Sequence, residues 1–184
     1  AQAKKVIEAI SEKFSHELII VQGLIGAAAI DEMGDPFPEQ TYKLCMESDA
    51  VLLGAIGDPK YDDPTLSVRP EQGLLTMRKA LGLFANIRPI KTYKGLDHLS
   101  VIKPQVLAGT DFVVFRELTG GIYFGDKVKG DGFASDLCLY HTYEIERVSH
   151  LAFQMARTRK KKLTLVDKAN VLETSRLWRV TVAN

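Results

Sequence analysis

Cysteine is scarce in this 184-residue chain, and the two that occur, Cys45 and Cys138, have no close neighbour of their own kind. That spacing excludes a clustered thiolate metal site and argues against a disulfide framework, so a reducing cytoplasmic compartment is expected. No apolar run approaches the length needed to cross a bilayer, and no signal-peptide core opens the chain. The sequence therefore predicts no membrane partner.

Neither sign of charge dominates the chain. The 24 basic and 23 acidic residues leave a formal charge of +1, so no global field attracts nucleic acid or an anionic surface. A hydrophobic content of 46% is enough for a real core. The composition thus favours a globular protein whose partner is a small molecule and not a nucleic acid.

The common nucleotide and hydrolase motifs are also missing. No G-x-G-x-x-G follows a strand, and the G-L-I-G of Gly23 to Gly26 is too short to be a dinucleotide fingerprint. Neither a P-loop nor a G-x-S-x-G is present. The four histidines show no metal-ligand spacing and are expected on the surface or in the core: His16, His98, His141 and His150. A standard Rossmann fold is therefore not predicted.

Helical and extended patterns alternate along the chain, which predicts an α/β class. Helices are predicted from Ala3 to Phe14, from Glu39 to Met46, from Glu71 onward and over Tyr143 to Arg159. Buried strands are predicted at Glu17–Val21, Ala50–Gly54, Asp111–Arg116 and Leu163–Val166, with an extended segment at Phe84–Lys91 and an exposed ribbon between Leu118 and Tyr140. Gly57 to Pro70 is predicted to be a long loop of the kind that carries function. A domain boundary is expected near Leu83.

Three chemically different side chains share one face of the helix that begins at Glu71. Offsets of three, four and seven residues return to the same side of a helix, so Glu71 points in the same direction as Leu74, Leu75 and Arg78. A carboxylate, an apolar group and a guanidinium together suit a pocket for a molecule that is anionic at one end and apolar at the other.

Arg78, Arg88 and Arg116 are candidate anion ligands. They lie at the end of a predicted helix, in an extended segment beside a proline and at the end of a predicted strand. Strand ends are where open α/β sheets bind ligands. For each arginine taken alone, a solvated charge or a surface pair is the alternative interpretation.

Tyr123 and Lys168 are candidate acid and base groups. Tyr123 lies in a glycine-flanked turn, and Lys168 follows an apolar segment in V-D-K-A-N-V. A lysine in such a place is able to act as a base when its surroundings favour the neutral amine, and a phenol is able to deliver a proton. Packing of the tyrosine, and a simple pair between Lys168 and Asp167, are the alternatives.

Six motifs distributed along nearly the whole chain resemble a known family. They are G-L-I-G-A-A-A-I-D, S-D-A-V-L-L-G-A-I-G-D-P-K-Y, R-P-E-Q-G-L-L-T-M-R-K, L-F-A-N-I-R-P, R-E-L-T-G-G-I-Y-F-G and V-D-K-A-N-V-L-E-T-S-R-L-W. In this order they resemble the decarboxylating β-hydroxyacid dehydrogenases, the isocitrate/isopropylmalate dehydrogenase family. The resemblance implies a two-domain sheet with flanking helices: residues 1–83 would form part of the cofactor-side domain, and 84–184 most of the substrate and dimerisation domain, with a β-ribbon arm at about 118–140.

The resemblance also implies a reaction, the NAD-dependent oxidative decarboxylation of 3-isopropylmalate in leucine biosynthesis. By position, Arg78, Arg88 and Arg116 would bind the malate carboxylates and Leu74 would contact the isopropyl group. By the same resemblance, Glu71 and Leu74 favour this substrate over isocitrate, whose third carboxylate meets more polar side chains on the corresponding helix.

The resemblance assigns the remaining site residues as well. Tyr123 would be the proton donor, and Lys168 would be the base, reaching the active site of the partner subunit in a homodimer. Four further residues would line the NAD side of the cleft: Asp58, Pro59, Lys60 and Glu71.

Two features of the family are not found in this chain. Its members begin with a strand and a G-D-G-I-G-P-E turn, and they continue past the S-R-L-W of Ser175 to Trp178 into segments with the metal-binding aspartates and the adenine pocket. A fragment is therefore expected, inactive alone, with Mg²⁺ or Mn²⁺ bound by residues that it lacks. A tartrate- or malate-type dehydrogenase and a truncated noncatalytic paralogue, acting as a binding or regulatory subunit, are the alternatives.

Overall fold

The computed structural model describes residues 2–63, 65–93 and 95–184. Ala1, Pro64 and Lys94 lie outside the described residues, and Pro64 falls inside the predicted loop. The chain divides into two compact units, Ala1–Met77 and Arg78–Asn184. The predicted boundary at Leu83 falls within the second unit, and the assignment of 1–83 and 84–184 to two functional domains stays a prediction.

Helices make up the regular structure described in the first unit. They are α1 (Gln2–Phe14), α2 (Ala27–Met33), α3 (Glu39–Glu47), a 3₁₀ turn at Pro59–Tyr61 and the first part of α4 (Pro70–Ala80). The helices predicted from Ala3, Glu39 and Glu71 are confirmed. Helix α2 was not predicted, because its A-A-A-I-D-E-M sequence is too short to show a helical period.

The strands predicted at Glu17–Val21 and Ala50–Gly54 are wrong for this structure. Both segments are irregular, and their side chains are exposed: Ile19 to 87% and Leu52 to 65%. An apolar, β-branched run shows that a segment favours burial, but a strand also needs a neighbour for its backbone hydrogen bonds. Among the described residues of this unit, no strand is available to pair with either segment.

The core of the first unit is built around a sharp turn at Gly26. This glycine has φ +68°, and its N–H donates to the carbonyl of Pro36 at 2.8 Å. The buried Thr41 hydroxyl donates to the carbonyl of Leu24 at 2.7 Å. Helix α4 packs closely on the same region, because a Cβ on Gly73 would lie 2.3 Å from the oxygen of Pro36. Glycine is therefore required where α4 meets the turn.

The second unit contains two antiparallel strand pairs and several helices. Its elements after α4 are β1 (Ala85–Lys91), α5 (Pro104–Leu107), β2 (Asp111–Glu117), β3 (Lys127–Gly130), β4 (Phe133–Asp136), α6 (Thr142–Thr158) and α7 (Glu173–Ala183), with 3₁₀ turns at Asp97–Leu99 and Gly121–Tyr123. Strand β1 pairs with β2, and β3 pairs with β4. The α/β class and the predicted ribbon are confirmed.

Helix α6 supplies the core of the second unit. Ile145 and Val148 of this helix are buried. The strand predicted at Leu163–Val166 is wrong: the segment is irregular, and α7, which was not predicted, follows it. In the described part of the chain, no helix has both the length and the apolar character of a membrane span.

The contact between α4 and the Gly26 turn predicts the effect of a small substitution. Gly73→Ala would place a methyl group against the Pro36 carbonyl, so we expect a loss of about 1–3 kcal/mol in the free energy of unfolding. This loss outweighs the gain of about 1 kcal/mol that alanine brings to a helix interior. Urea denaturation followed by circular dichroism measures it. Gly54→Ala is the control, since no atom lies within 4 Å of its Cβ position; equal stability of the two variants would contradict the packing.

Candidate active site

Three arginines converge on one side of the β1–β2 pair. Arg78 lies near the end of α4, Arg88 in β1 and Arg116 in β2. The antiparallel register places Asn86 opposite Arg116, and Arg88 is two residues further along the same strand as Asn86. Because side chains two residues apart share a face of a strand, Arg88 and Arg116 are diagonal neighbours on one face.

The pKa of Arg78 depends on the two other arginines. Burial, together with the positive charges of Arg116 and Arg88, lowers the pKa of Arg78. A guanidinium nevertheless stays protonated at physiological pH, so the strain appears as mutual repulsion and not as deprotonation. Arg88 is oriented by its neighbour, since its Nε donates to the side-chain oxygen of Asn86. Such a group of fixed donors is suited to an anion with more than one carboxylate.

Tyr123 adjoins this cluster. It ends the 3₁₀ turn Gly121–Tyr123, which follows β2, and the guanidinium carbon of Arg116 lies 4.9 Å from the centre of its ring. That separation is within the range of a cation–π contact. The tyrosine is 55% exposed, so a substrate bound by the arginines has access to the phenol.

Lys168 is not part of the cluster within this chain. Its backbone N–H donates to the hydroxyl of Ser175 at 3.0 Å, and its side chain is exposed. Asp167, the alternative partner, instead accepts from Arg179 at 2.8 and 3.0 Å. Throughout the described residues, no hydrogen bond or ion pair engages the Lys168 ammonium group. The structure therefore leaves this amine free to reach another molecule.

The predicted cofactor-side residues lie in the first unit. Asp58 begins the turn that contains Pro59, and its carboxylate accepts from the backbone N–H of Lys60 at 3.1 Å. The Lys60 ammonium group pairs with Asp31, which also accepts from the hydroxyl of Tyr61 at 2.8 Å. These hydrogen bonds, from Lys60 first and Tyr61 second, lower the pKa of Asp31. The turn is thus fixed by Asp31, a residue that the sequence did not single out.

Glu71 and Leu74 lie on α4 as predicted. Glu71 is in the first turn, and its Oε1 is 3.6 Å from the Cβ position of Gly57, a glycine with φ +123°. No described residue forms a hydrogen bond or an ion pair with the Glu71 carboxylate, which is therefore able to accept from the hydroxyl groups of a ligand. Leu74 is half-buried.

A metal site was not predicted within this chain. In residues 2–63, 65–93 and 95–184, no group of three or more histidine, cysteine, aspartate or glutamate side chains is arranged to hold an ion. The described residues do not fit a divalent metal by themselves, so its chemistry is not assigned to any of them.

Four polar residues near the cluster were missed by the sequence analysis: Asn86, Glu117, Thr119 and Arg147. Asn86 is detectable in principle, because it precedes Arg88 by two residues in a strand. Arg147 carries no such signal, since it reads as part of the polar face of α6. The buried Glu117 forms an ion pair at 2.7 Å with Arg147, which is half-buried.

Comparisons with known proteins agree with one another. The profile of the isocitrate/isopropylmalate dehydrogenase family matches residues 1–184. The 3-isopropylmalate dehydrogenase of Bacteroides fragilis is 54% identical over 97% of this chain and 51% of its own length, and that of Bacillus caldotenax is 54% identical over 96% and 50%. A crystal structure of isocitrate dehydrogenase from Methylococcus capsulatus matches with a TM-score of 0.76 at 29% identity, covering 98% of this chain and 50% of that one. The chain spans about half the length of the curated relatives that it matches.

The crowding of like charges predicts opposite effects of one substitution. In buffer without a multivalent anion, Arg78→Gln should unfold at the same temperature as the wild type or higher, because it relieves repulsion by Arg88 and Arg116. Added malate should raise the thermal midpoint of the wild type much more than that of the variant, because bound ligand stabilises the folded state. Differential scanning fluorimetry measures both effects. Lys79→Gln, the same change of charge one residue away, is the control; an equal response to malate in all three proteins would exclude the site.

Proposed function

The chain belongs to the isocitrate/isopropylmalate dehydrogenase family, and from this premise we propose that its protein oxidises and decarboxylates 3-isopropylmalate to 2-oxoisocaproate, with NAD as the oxidant, in leucine biosynthesis. The observation that carries the proposal is the cluster of Arg78, Arg88 and Arg116 with Tyr123 beside it. The names of relatives that are 54% identical to the chain over about half of their own length support the choice of substrate.

The substrate is held by charge at one end and by apolar contact at the other. The two carboxylates of 3-isopropylmalate match the guanidinium forks of Arg78, Arg88 and Arg116. Their negative charges also offset the repulsion among the three positive charges. Leu74 precedes Arg78 by four residues on α4, so the two share a helix face. In this proposal, Leu74 contacts the isopropyl group while Arg78 binds a carboxylate.

Two residues move the protons. The amine of Lys168 accepts the hydroxyl proton as the hydride leaves the same carbon, and a β-keto acid results. The carbon–carbon bond to the carboxylate on the neighbouring carbon then breaks and CO2 leaves. The electron pair of the broken bond stays on the substrate, which becomes an enolate. Tyr123 protonates the enolate carbon. The contact between Tyr123 and Arg116 supports this role, because it holds the phenol next to the bound carboxylate.

NAD and a divalent metal complete the proposed reaction. NAD, when bound, supplies the acceptor for the hydride. Asp58, Pro59, Lys60 and Glu71 are the proposed cofactor-side residues, and the unpaired Glu71 carboxylate suits a ribose hydroxyl or the positively charged nicotinamide. Mg²⁺ or Mn²⁺ is proposed from the family alone.

The proposed enzyme is a homodimer in the cytoplasm. Lys168 makes no contact with the arginine cluster of its own chain, which suits a base that serves the site of the partner subunit. The ribbon of β3 and β4 supports the pairing, because Val128 and Phe133 are largely exposed on it and its strands have unpaired edges. Cys45 and Cys138 are free thiols, as suits a reducing compartment.

Substitution of the two proton-transfer residues tests the proposed function. In the protein that carries this chain, Lys168→Ala and Tyr123→Phe should each lower kcat for NADH formation from 3-isopropylmalate by at least about 100-fold, the usual range for loss of a general acid or base. Absorbance of NADH, with Mg²⁺ or Mn²⁺ present, is the measurement. Lys162→Ala and Tyr93→Phe are the controls, because they remove an amine and a phenol hydroxyl at positions outside the proposed site. Full activity in both site variants would refute the assignments.

A further inference from the structure

A buried carboxylate lies directly after the substrate-binding arginine of β2. The side chain of Glu117 is 1% exposed and accepts four hydrogen bonds. Two come from the backbone N–H groups of Thr119 and Gly120, at 3.0 and 2.6 Å, and one from the Thr119 hydroxyl at 2.9 Å. The fourth comes from the guanidinium of Arg147 at 2.7 Å. The carboxylate thus closes the turn that follows β2 and binds it to α6.

Arg147 extends this connection to β1. Its guanidinium carbon lies 4.8 Å from the ring centre of Phe84 and 5.5 Å from that of Tyr143. Phe84 immediately precedes β1, and its carbonyl accepts from the N–H of Leu118 at 2.8 Å. The pair of Glu117 and Arg147 therefore fixes β1, β2 and α6 at the end of the strands where the turn begins.

The turn itself is confined from two further sides. A Cβ on Gly120 would lie 2.9 Å from Oε1 of Glu144, and a Cβ on Gly121 would lie 2.3 Å from the hydroxyl of Tyr140. Gly121 also has φ +72°, a conformation that disfavours other residues. The chain between Arg116 and Tyr123 therefore has one well-defined path, which Glu117 anchors at its start.

We propose that Glu117 and Arg147 are positioning residues, which hold Arg116 and Tyr123 in the mutual orientation needed for substrate binding and protonation. The inference rests on the proposed function. Neither residue touches the substrate in this account: Glu117 acts through the backbone of the turn, and Arg147 acts through Glu117 and the Phe84 ring.

Simple stabilisation of the fold does not explain the pair as well. The Nε of Arg147 is buried without a hydrogen-bond partner in the described part of the chain. A buried carboxylate paired with an arginine whose Nε has no partner among the described residues is a poor way to gain stability, and apolar side chains of similar volume would join the elements without that cost. The charged pair of Glu117 and Arg147 suits a geometric role, because charge-assisted hydrogen bonds fix the direction of the contacts to the turn.

The same two elements offer a matched control. At the opposite end of β2, Asp111 pairs with Arg159 near the end of α6. That pair also joins β2 to α6, but it is more exposed and lies far along the strand from the turn. Asp111→Asn therefore removes an ion pair between the same elements without disturbing the path from Arg116 to Tyr123.

Steady-state kinetics of the protein that carries this chain test the proposal. Glu117→Gln keeps the shape of the side chain but removes its charge, and Arg147→Lys keeps a charge but loses the planar fork. We expect the KM for 3-isopropylmalate to rise by about tenfold, and kcat/KM to fall by about 100-fold, in Glu117→Gln, because a misplacement of about 1 Å has an effect of this size. The KM for NAD should change less than about twofold. The KM and kcat/KM of Arg147→Lys should lie between those of Glu117→Gln and the wild type. Asp111→Asn should have the same KM and kcat/KM as the wild type.

A purely structural role predicts a different pattern. Loss of folded protein lowers the apparent kcat and leaves both KM values unchanged, so that pattern would overturn the proposal. Equal effects of Glu117→Gln and Asp111→Asn would also overturn it. If Glu117→Gln does not fold, Arg147→Lys is used instead: its KM for 3-isopropylmalate should rise while its KM for NAD stays nearly unchanged.

Amide hydrogen exchange separates this inference from the proposed function. In Glu117→Gln or Arg147→Lys, the amides of Thr119 and Gly120 should exchange faster, while those of the β1–β2 ladder stay protected. An unchanged pattern would overturn the positioning role. Absence of NADH formation from 3-isopropylmalate by the wild type would instead reject the proposed function, and the exchange pattern would still decide between the two roles of the pair.

Discussion

The closeness of three guanidinium groups is the constraint on which the proposed site depends. Arg78, Arg88 and Arg116 come from a helix end and two paired strands; Arg78 is partly buried, and the positive charges of the other two act on it. Arginines cannot lose their protons to relieve this, so a bound anion is the natural means of compensation. This arrangement is the basis for the proposal that the site binds a ligand with at least two negative charges, as the proposed substrate has.

The cluster needs rigid support because like charges otherwise move apart. The β1–β2 ladder fixes the spacing of Arg88 and Arg116, and Asn86 orients the guanidinium of Arg88. Beyond the end of β2, the buried carboxylate of Glu117 connects the ladder to the turn that carries Tyr123. In the proposed reaction, substrate binding and proton transfer depend on the same small set of backbone positions, so a disturbance of the turn should affect both.

Sequence reasoning predicted the extended segments that carry two of the candidate residues, because the local patterns there are strong. Arg88 and Arg116 were predicted because the segments around them are clearly extended, and their neighbourhood follows from strand pairing. Glu117 was missed, because a charged residue at a strand end normally reads as a solvated one, and its burial depends on an α6 residue thirty positions away. The strands predicted at Glu17–Val21 and Ala50–Gly54 failed for a related reason: composition reports a preference for burial, whereas a strand also requires a hydrogen-bonding neighbour.

The central claim is that all three arginines bind one dicarboxylate. A crystal structure of the protein with 3-isopropylmalate tests it most directly. The account predicts that the two carboxylates lie within about 3 Å of guanidinium nitrogens from Arg78, Arg88 and Arg116, the usual distance for charge-assisted hydrogen bonds. A ligand bound elsewhere, or one held by a single arginine while the other two point into solvent, would contradict it.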